Sequence, residues 1–349
     1  MAGGDGSGRS GAGARNLAGA YRDRRRLDRR RLGGAVTQGV IVTGANGFVG
    51  CNIVGALLKA GYAVTAVDLA FDNPAYGKMP GENLRCLTAD CVKLPPLKAE
   101  ALIHAAAVTA SPEARGESPE DNLRANIEPL LAVSAYAQRQ GIARAIFISS
   151  TAVFGGAPST ERDEAAPPRP LGVYGVAKAL LEHTVTTLRL EYGRDVLVAR
   201  LGAVYGPWEY ARLTRPRLSA VATQLHEALA AGEITAMRPG ESRRWTYAPD
   251  IGRALIALLQ TESLRHSLYQ VESGERVTNL ALARQIAWLC DVPLRLKEDA
   301  ATAEESAVEA ADAPPRRLRE DTGFSDWTPL GGESLRVTLE SLRLGARRA

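Results

Sequence analysis

Tyr174 and Lys178 stand four residues apart in Tyr174-Gly-Val-Ala-Lys178, so on a helix they share one face. A cation beside a phenol favours the phenolate and lowers the tyrosine pKa. That turns an inert side chain into an acid/base catalyst near neutral pH. The pairing is unusual for this chain: of its 43 basic residues only six are lysine, and of its ten tyrosines only Tyr174 has lysine at plus four. Upstream, Ser149-Ser150-Thr151 supply hydroxyls. A second chemistry, phosphate binding, lies in Gly44-Ala-Asn-Gly47-Phe-Val-Gly50. Here Gly44 allows a tight turn, Gly47 lets a pyrophosphate reach the backbone, and Gly50 lets a helix pack closely on a sheet. The start of that helix offers free N–H groups and a positive dipole end.

These residues need a frame to position them. Gly39–Thr43 is an apolar run suited to a buried parallel strand, and a helical pattern follows the glycines through Lys59. That strand–turn–helix context gives the glycine spacing its weight. A second strand, Tyr62–Val67, ends at Asp68, whose carboxylate can accept both ribose hydroxyls of an adenosine. It would repel a 2′-phosphate, and no arginine follows in Leu69-Ala-Phe71, so NAD is favoured over NADP. A third strand near Leu84–Leu87 leads to Asp90-Cys91. The fourth, Ala101–His104, runs into Ala105-Ala106-Ala107, small enough for a cofactor to lie against the backbone; His104 itself reads as a packed strand residue. Residues 119–140 have helical character, with a kink expected at Pro129. The fifth strand, Ala145–Ile148, carries the three hydroxyls at its C-terminal end, where open α/β sheets bind ligands. A loop over 156–171 precedes the helix of Tyr174 and Lys178, and Asp195–Arg200 is the sixth strand. Beyond Gly206-Pro207 the expectations are helices over 219–232, Asp250–Leu259 and 278–290, strands over Glu233–Met237 and Arg243–Tyr247, and a mobile loop over 298–313.

Composition sets the outer limits. With 349 residues, 45% hydrophobic and 23% charged, the chain has the make-up of an ordinary globular protein. It has no run of about 18 apolar residues to span a membrane. The net charge of +4 comes from residues 1–38, which hold nine arginines against three aspartates and leave the remainder near −2. A body without basic bias does not suggest nucleic-acid binding. Residues 1–38 have no apolar periodicity and read as a disordered basic leader, without the apolar centre of an export signal. Cys51, Cys86, Cys91 and Cys290 are scattered and read as reduced, structural and cytoplasmic. The four histidines lack metal-ligand spacing, so no metal is expected.

Taken in order, these motifs resemble the extended short-chain dehydrogenase/reductases, specifically the NAD-dependent epimerase/dehydratase family. The resemblance runs from Gly39 over roughly 300 residues. It rests on Thr43-Gly44-Ala45-Asn46-Gly47-Phe48-Val49-Gly50, His104–Ala107, Ser149-Ser150-Thr151-Ala152-Val153-Phe154-Gly155, Tyr174/Lys178, Arg200-Leu-Gly-Ala203-Val-Tyr-Gly-Pro207 and Arg243-Arg-Trp-Thr-Tyr247-Ala-Pro-Asp250. It implies an α/β fold: a Rossmann-type doubly wound parallel sheet with a smaller C-terminal α/β substrate-binding lobe. The corresponding boundaries are 39–205 and 250–262 for the NAD-binding domain, and 206–249 and 263–349 for the lobe. The resemblance also implies Ser150 as the catalytic hydroxyl, with Thr151 as runner-up. For the cofactor it implies Gly44, Asn46, Gly47, Phe48, Val49, Gly50, Asp68, Asp90, Cys91, Ala105, Ala106, Ala107, Asn126, Tyr174 and Lys178. For the substrate it implies Thr109, Thr151, Ala203, Arg212 and Arg243, and for assembly a homodimer through the helices of 119–140 and 174–192.

Two departures bear on the reaction. Position 203 is Ala where nucleotide-sugar enzymes of the family carry an Asn for the substrate diphosphate. Thr151-Ala152 stands where the dehydratase branch has Asp-Glu. The leading expectation is an NAD-dependent epimerase acting on a sugar or nucleotide sugar. Net dehydrogenation of a sugar, sugar acid or small polyol is the alternative, and a non-catalytic NAD-sensing protein the second alternative.

Overall fold

The computed structural model describes residues 38–157, 162–236, 238–296 and 315–346. The expected leader, but for Gln38, lies outside the described residues, as do Met237 and the loop expected over 298–313. Seven parallel strands form the main sheet: β1 (Gly39–Thr43), β2 (Ala63–Asp68), β3 (Leu84–Thr88), β4 (Ala101–His104), β5 (Arg144–Ser150), β6 (Val196–Leu201) and β10 (Leu268–Val271), in the order β10-β6-β5-β4-β1-β2-β3. The order reverses at β1, and such a reversal opens a crevice at the C-terminal strand ends.

Strand alternation builds two apolar layers. Val40, Val42, Ile146, Ile148, Leu197 and Ala199 face one cluster, which includes Ile53 and Leu57 of α1 (Phe48–Lys59) and Ile251 and Leu255. Ile41, Leu102, Phe147 and Val198 face the other, where Leu130 and Val133 pack with Leu181 and Val185. A parallel sheet is buried on both faces, which is why these strands read as continuous apolar runs. Short α2 (Pro112–Arg115) leads into α3 (Pro119–Arg139), which runs as one element through Pro129; α4 (Gly172–Leu190) packs beside it.

The smaller lobe contains β7 (Ala203–Tyr205), α5 (Ala220–Ala231), β8 (Ile234–Ala236), β9 (Ser242–Tyr247), β11 (Arg276–Thr278), α7 (Asn279–Cys290), β12 (Leu294–Leu296) and α9 (Gly332–Ala346). Its sheets run β11-β9-β7 and β12-β8, around Tyr205, Trp245, Leu282 and Leu339. Two expected boundaries need correction. Residues 203–205 pair with β9 in the small sheet, so the chain crosses at Gly202. Leu268–Val271, assigned to the small lobe, is instead the edge strand of the main sheet, registered Leu268↔Val198. It is held there with α6 (Ala248–Gln260) and α8 (Arg317–Thr322) packed nearby. No helix among the described residues is long and apolar enough to cross a membrane.

Candidate active site

Tyr174, Lys178 and Glu182 follow one another at four-residue spacing along α4, so one helix face presents all three. Lys178 Nζ lies 5.7 Å from the centre of the Tyr174 ring and donates to the Ile148 carbonyl at 2.9 Å. Ser150, at the end of β5, lies near enough to the Tyr174 phenol to hold its pKa down against burial. Its Oγ also accepts from Ala152 N at 3.2 Å, capping the turn that contains half-buried Thr151. Ser149 faces the other way. Its hydroxyl donates to Glu182 Oε1 at 2.7 Å, in a buried network with Arg200, whose Nε and Nη2 donate to the two Glu182 oxygens at 2.8 and 2.7 Å. This two-pronged ion pair, buried on both sides, locks the register of α4 against β5 and β6. Glu182 is a support that sequence reasoning passed over, and Arg200 entered there only as the first residue of a motif. The signal for Glu182 was its place one turn beyond Lys178.

The expected acidification of Tyr174 by Lys178 needs correction. Burial raises the phenol above its ordinary value, opposed by the Ser150 hydroxyl and the Arg215 charge. Lys178 is itself pushed down to about 8, mainly by burial, with Glu182 opposing. Both shifts follow from taking a charge out of water. His104 is buried, hydrogen-bonded to Thr43 Oγ1 through Nδ1 at 2.7 Å, and pushed down to about 3 by burial and then by Lys178. It is neutral and packed.

The glycine turn sits at the C-terminal end of β1. A Cβ on Gly44 (φ +71°) would lie 2.3 Å from Ala106 N, and one on Gly50 would lie 2.0 Å from the Gly44 carbonyl oxygen. The turn and the loop of Ala105, Ala106 and Ala107 therefore touch backbone to backbone. Gly47 is different: an added Cβ would meet only Gly44 O, at 3.3 Å. The Gly47 N-cap has no side-chain cap and the first turn of α1 (Phe48, Val49, Gly50) has no acidic residue. An uncapped, positively polarised helix start with room before it suits a phosphate.

At the end of β2, Asp68 accepts from Asn46 N at 2.8 Å and Leu69 N at 2.7 Å, while burial raises its pKa. Asp90 caps the next turn through Val92 N at 2.9 Å. Cys91 beside it is pushed up to about 11, by burial first and then by the charges of Asp90 and Asp68. Asn126 bonds Val108 N and O at 3.0 and 3.1 Å and so holds the loop after β4.

The substrate-side residues are placed unevenly. Thr109 N and Oγ1 both donate to Thr214 O, at 2.8 and 3.2 Å. Arg212 and Arg215 close a tight turn through mutual backbone bonds of 3.0 and 2.9 Å. Arg212, expected beside the substrate, reaches instead to Asp72 Oδ1 at 2.6 Å, and its charge acts on Asp68. Asp72 also accepts from Asn46 Nδ2 at 2.7 Å. On β9, Arg243 is exposed and Arg244 is buried; Ala203 is half-buried at the start of β7. Asn52 and Asn73, which sequence reasoning missed, tie the glycine-turn helix and loop to Pro207 O and Trp208 O at 2.9 and 3.3 Å. The segment after β7 thus lies across the crevice from Asp72 to Thr109.

The sequence profile of the NAD dependent epimerase/dehydratase family matches residues 40–271. The chain belongs to this family. Its curated relatives include a dTDP-glucose 4,6-dehydratase from Streptomyces niveus, 28% identical over 72% of this chain and 77% of the relative. A UDP-glucuronic acid decarboxylase 1 from Xenopus tropicalis is 26% identical over 64% of this chain and 53% of the relative. Among solved structures, an epimerase from Methanothermobacter thermautotrophicus superimposes with a TM-score of 0.73 at 22% identity, covering 89% of this chain and 94% of that one. At that identity the likeness concerns the fold.

Proposed function

We propose that the protein oxidises a sugar hydroxyl of a nucleotide sugar, with hydride passing to NAD, and that the net reaction is epimerisation. The observation that carries this is Lys178 Nζ 5.7 Å from the Tyr174 ring, with Ser150 at the nearby end of β5, at the sheet edge that also holds the uncapped start of α1. The residues present fit the cofactor. Gly47, Phe48 and Val49 would take its diphosphate and Asp68 its adenosine ribose, while Lys178 would face its nicotinamide end. Bound there, NAD supplies the hydride acceptor.

The chain's own part is proton handling. Ser150 Oγ orients the substrate hydroxyl. Tyr174 would accept its proton in the phenolate form, which Lys178 and Arg215 favour as the cations near it. For an epimerisation, Tyr174 would give the same proton back to the sugar oxygen. Thr151 and Ala152 stand where the dehydratase branch has its Asp-Glu pair, which favours epimerisation over elimination. The nucleotide-sugar assignment draws on the names of the relatives. Ala203 favours the second reading, net dehydrogenation of a sugar, sugar acid or small polyol, because it cannot hold a diphosphate.

The Asp68 carboxylate supports NAD in preference to NADP. A homodimer is the reading supported by Leu131 on α3 and Val176 and Leu180 on α4, all exposed on adjacent helices. Four free cysteines fit a cytoplasmic setting. The test is Tyr174→Phe with a panel of UDP- and dTDP-sugars. Turnover should fall at least a hundredfold while NAD still binds; unchanged turnover refutes the mechanism. Stoichiometric NADH release by the wild type would replace epimerisation with dehydrogenation.

A further inference from the structure

Arg215 is held in place by groups that leave part of it unused. Glu209 is fully buried, and its carboxylate accepts from Arg215 Nη2 at 2.6 Å, Ser219 N at 2.7 Å and Ser219 Oγ at 2.7 Å. The guanidinium lies over the Phe48 ring, 5.1 Å from its centre. Phe48 opens α1 directly after the glycine turn. The backbone is fixed as well, because Thr214 O is gripped by Thr109 N and Ala110 N at 2.8 and 3.0 Å. Against this rigid setting, Nη1 is buried and has no hydrogen-bond partner among the described residues. A buried donor left unpaired is costly, and an immobilised guanidinium is suited to a planar, two-oxygen anion. Its charge also reaches the Tyr174 phenol. Arg215 thus stands against Phe48, beside the phosphate-binding turn, and its charge acts on the catalytic tyrosine.

We propose that Arg215 Nη1 holds an oxyanion of the bound ligands, a phosphate or carboxylate oxygen seated beside Phe48. Glu209 orients the arginine and does not touch the ligand. The proposal rests on the reading of the crevice as a site for NAD and a nucleotide sugar, and it adds a residue that the sequence motifs do not single out. Three sources supply such an oxygen: the NAD diphosphate, the substrate diphosphate and a sugar carboxylate.

Calorimetric titration separates them. NAD is titrated into the protein, and UDP-glucose and UDP-glucuronic acid into the NAD-loaded protein, for wild type and Arg215→Met. Loss of one charge-assisted hydrogen bond weakens binding about tenfold or more. A loss confined to NAD assigns the cofactor diphosphate. Equal loss for both sugar nucleotides assigns the substrate diphosphate, and loss for UDP-glucuronic acid alone assigns the carboxylate. Because Arg215→Met leaves Glu209 buried without its cation, the double variant Arg215→Met/Glu209→Gln is measured beside it, with a melting curve to show that it folds. Affinities within twofold of wild type, for every one of these ligands that the wild type binds, overturn the proposal. A wild type that binds none of them overturns the nucleotide-sugar reading instead. Inorganic pyrophosphate then decides Arg215 alone: a melting-temperature rise present in wild type and absent in the variant supports the proposal, and equal or absent rises refute it.

Discussion

Lys178→Met should make the cofactor-free protein more stable near neutral pH while removing its catalysis. Lys178 is 4% exposed, and burial brings its pKa from 10.5 to about 8. That fall corresponds to about 3 kcal/mol of unfavourable free energy for keeping the charge inside. The folded protein binds this proton more weakly than the unfolded chain does. The penalty is therefore fully present below about 8 and is relieved as pH rises towards 10.5. Methionine removes the charge at similar length but takes the donor from Ile148 O, which costs about 1–2 kcal/mol. The net expectation is a gain of about 1–2 kcal/mol at about pH 7. By about pH 9.5 the wild type recovers about 2 kcal/mol, so the variant's advantage disappears. Urea unfolding of both NAD-free proteins at the two pH values measures this directly. A stability difference that does not change between them would refute the burial argument, whatever its sign.

Gly44→Ala should destabilise the fold by about 3 kcal/mol or more, because the new Cβ meets Ala106 N at 2.3 Å and Cα at 2.5 Å with φ at +71°; a variant that melts with the wild type contradicts the backbone contact. Asp68→Ser should cut the preference for NAD over NADP by about tenfold or more, an effect of about 1.4 kcal/mol, since it removes the carboxylate that would repel a 2′-phosphate while Arg212 stays close by. Fluorescence titration with both cofactors gives the ratio, and an unchanged ratio removes Asp68 from the selectivity argument. Leu131→Asp with Leu180→Asp should convert a dimer to monomers in size-exclusion chromatography with light scattering, because both leucines are exposed on neighbouring helices; a wild type that already elutes as a monomer, or a variant that stays dimeric, excludes that surface.

What was legible in the sequence was local. Apolar runs such as Val40–Val42 and Leu197–Ala199 announce parallel strands because both faces of the sheet are buried, and the spacing of Tyr174 and Lys178 survives as one helix face. What was hidden depended on distant parts of the chain meeting. Leu268–Val271 is a four-residue segment whose place in the main sheet exists only through its pairing with β6. Arg212 and Arg215 belong to one arginine-rich run, yet one turns to Asp72 and the other to Glu209 and Phe48, and nothing in their order foretells that division. Tyr174 shows the same limit in its energetics. Proximity of a cation can be inferred from a four-residue spacing, and by itself it predicts a lowered phenol pKa. Burial is set by the whole fold, and here it outweighs the nearby charges and reverses the sign. Lys178, its pKa brought down to about 8 by the same burial, keeps most of its charge near neutral pH, yet that charge does not offset the burial of the phenol. The full activating charge at Tyr174 must be completed when ligands bind, and Arg215, whose charge already lowers the phenol pKa, is positioned to contribute part of it.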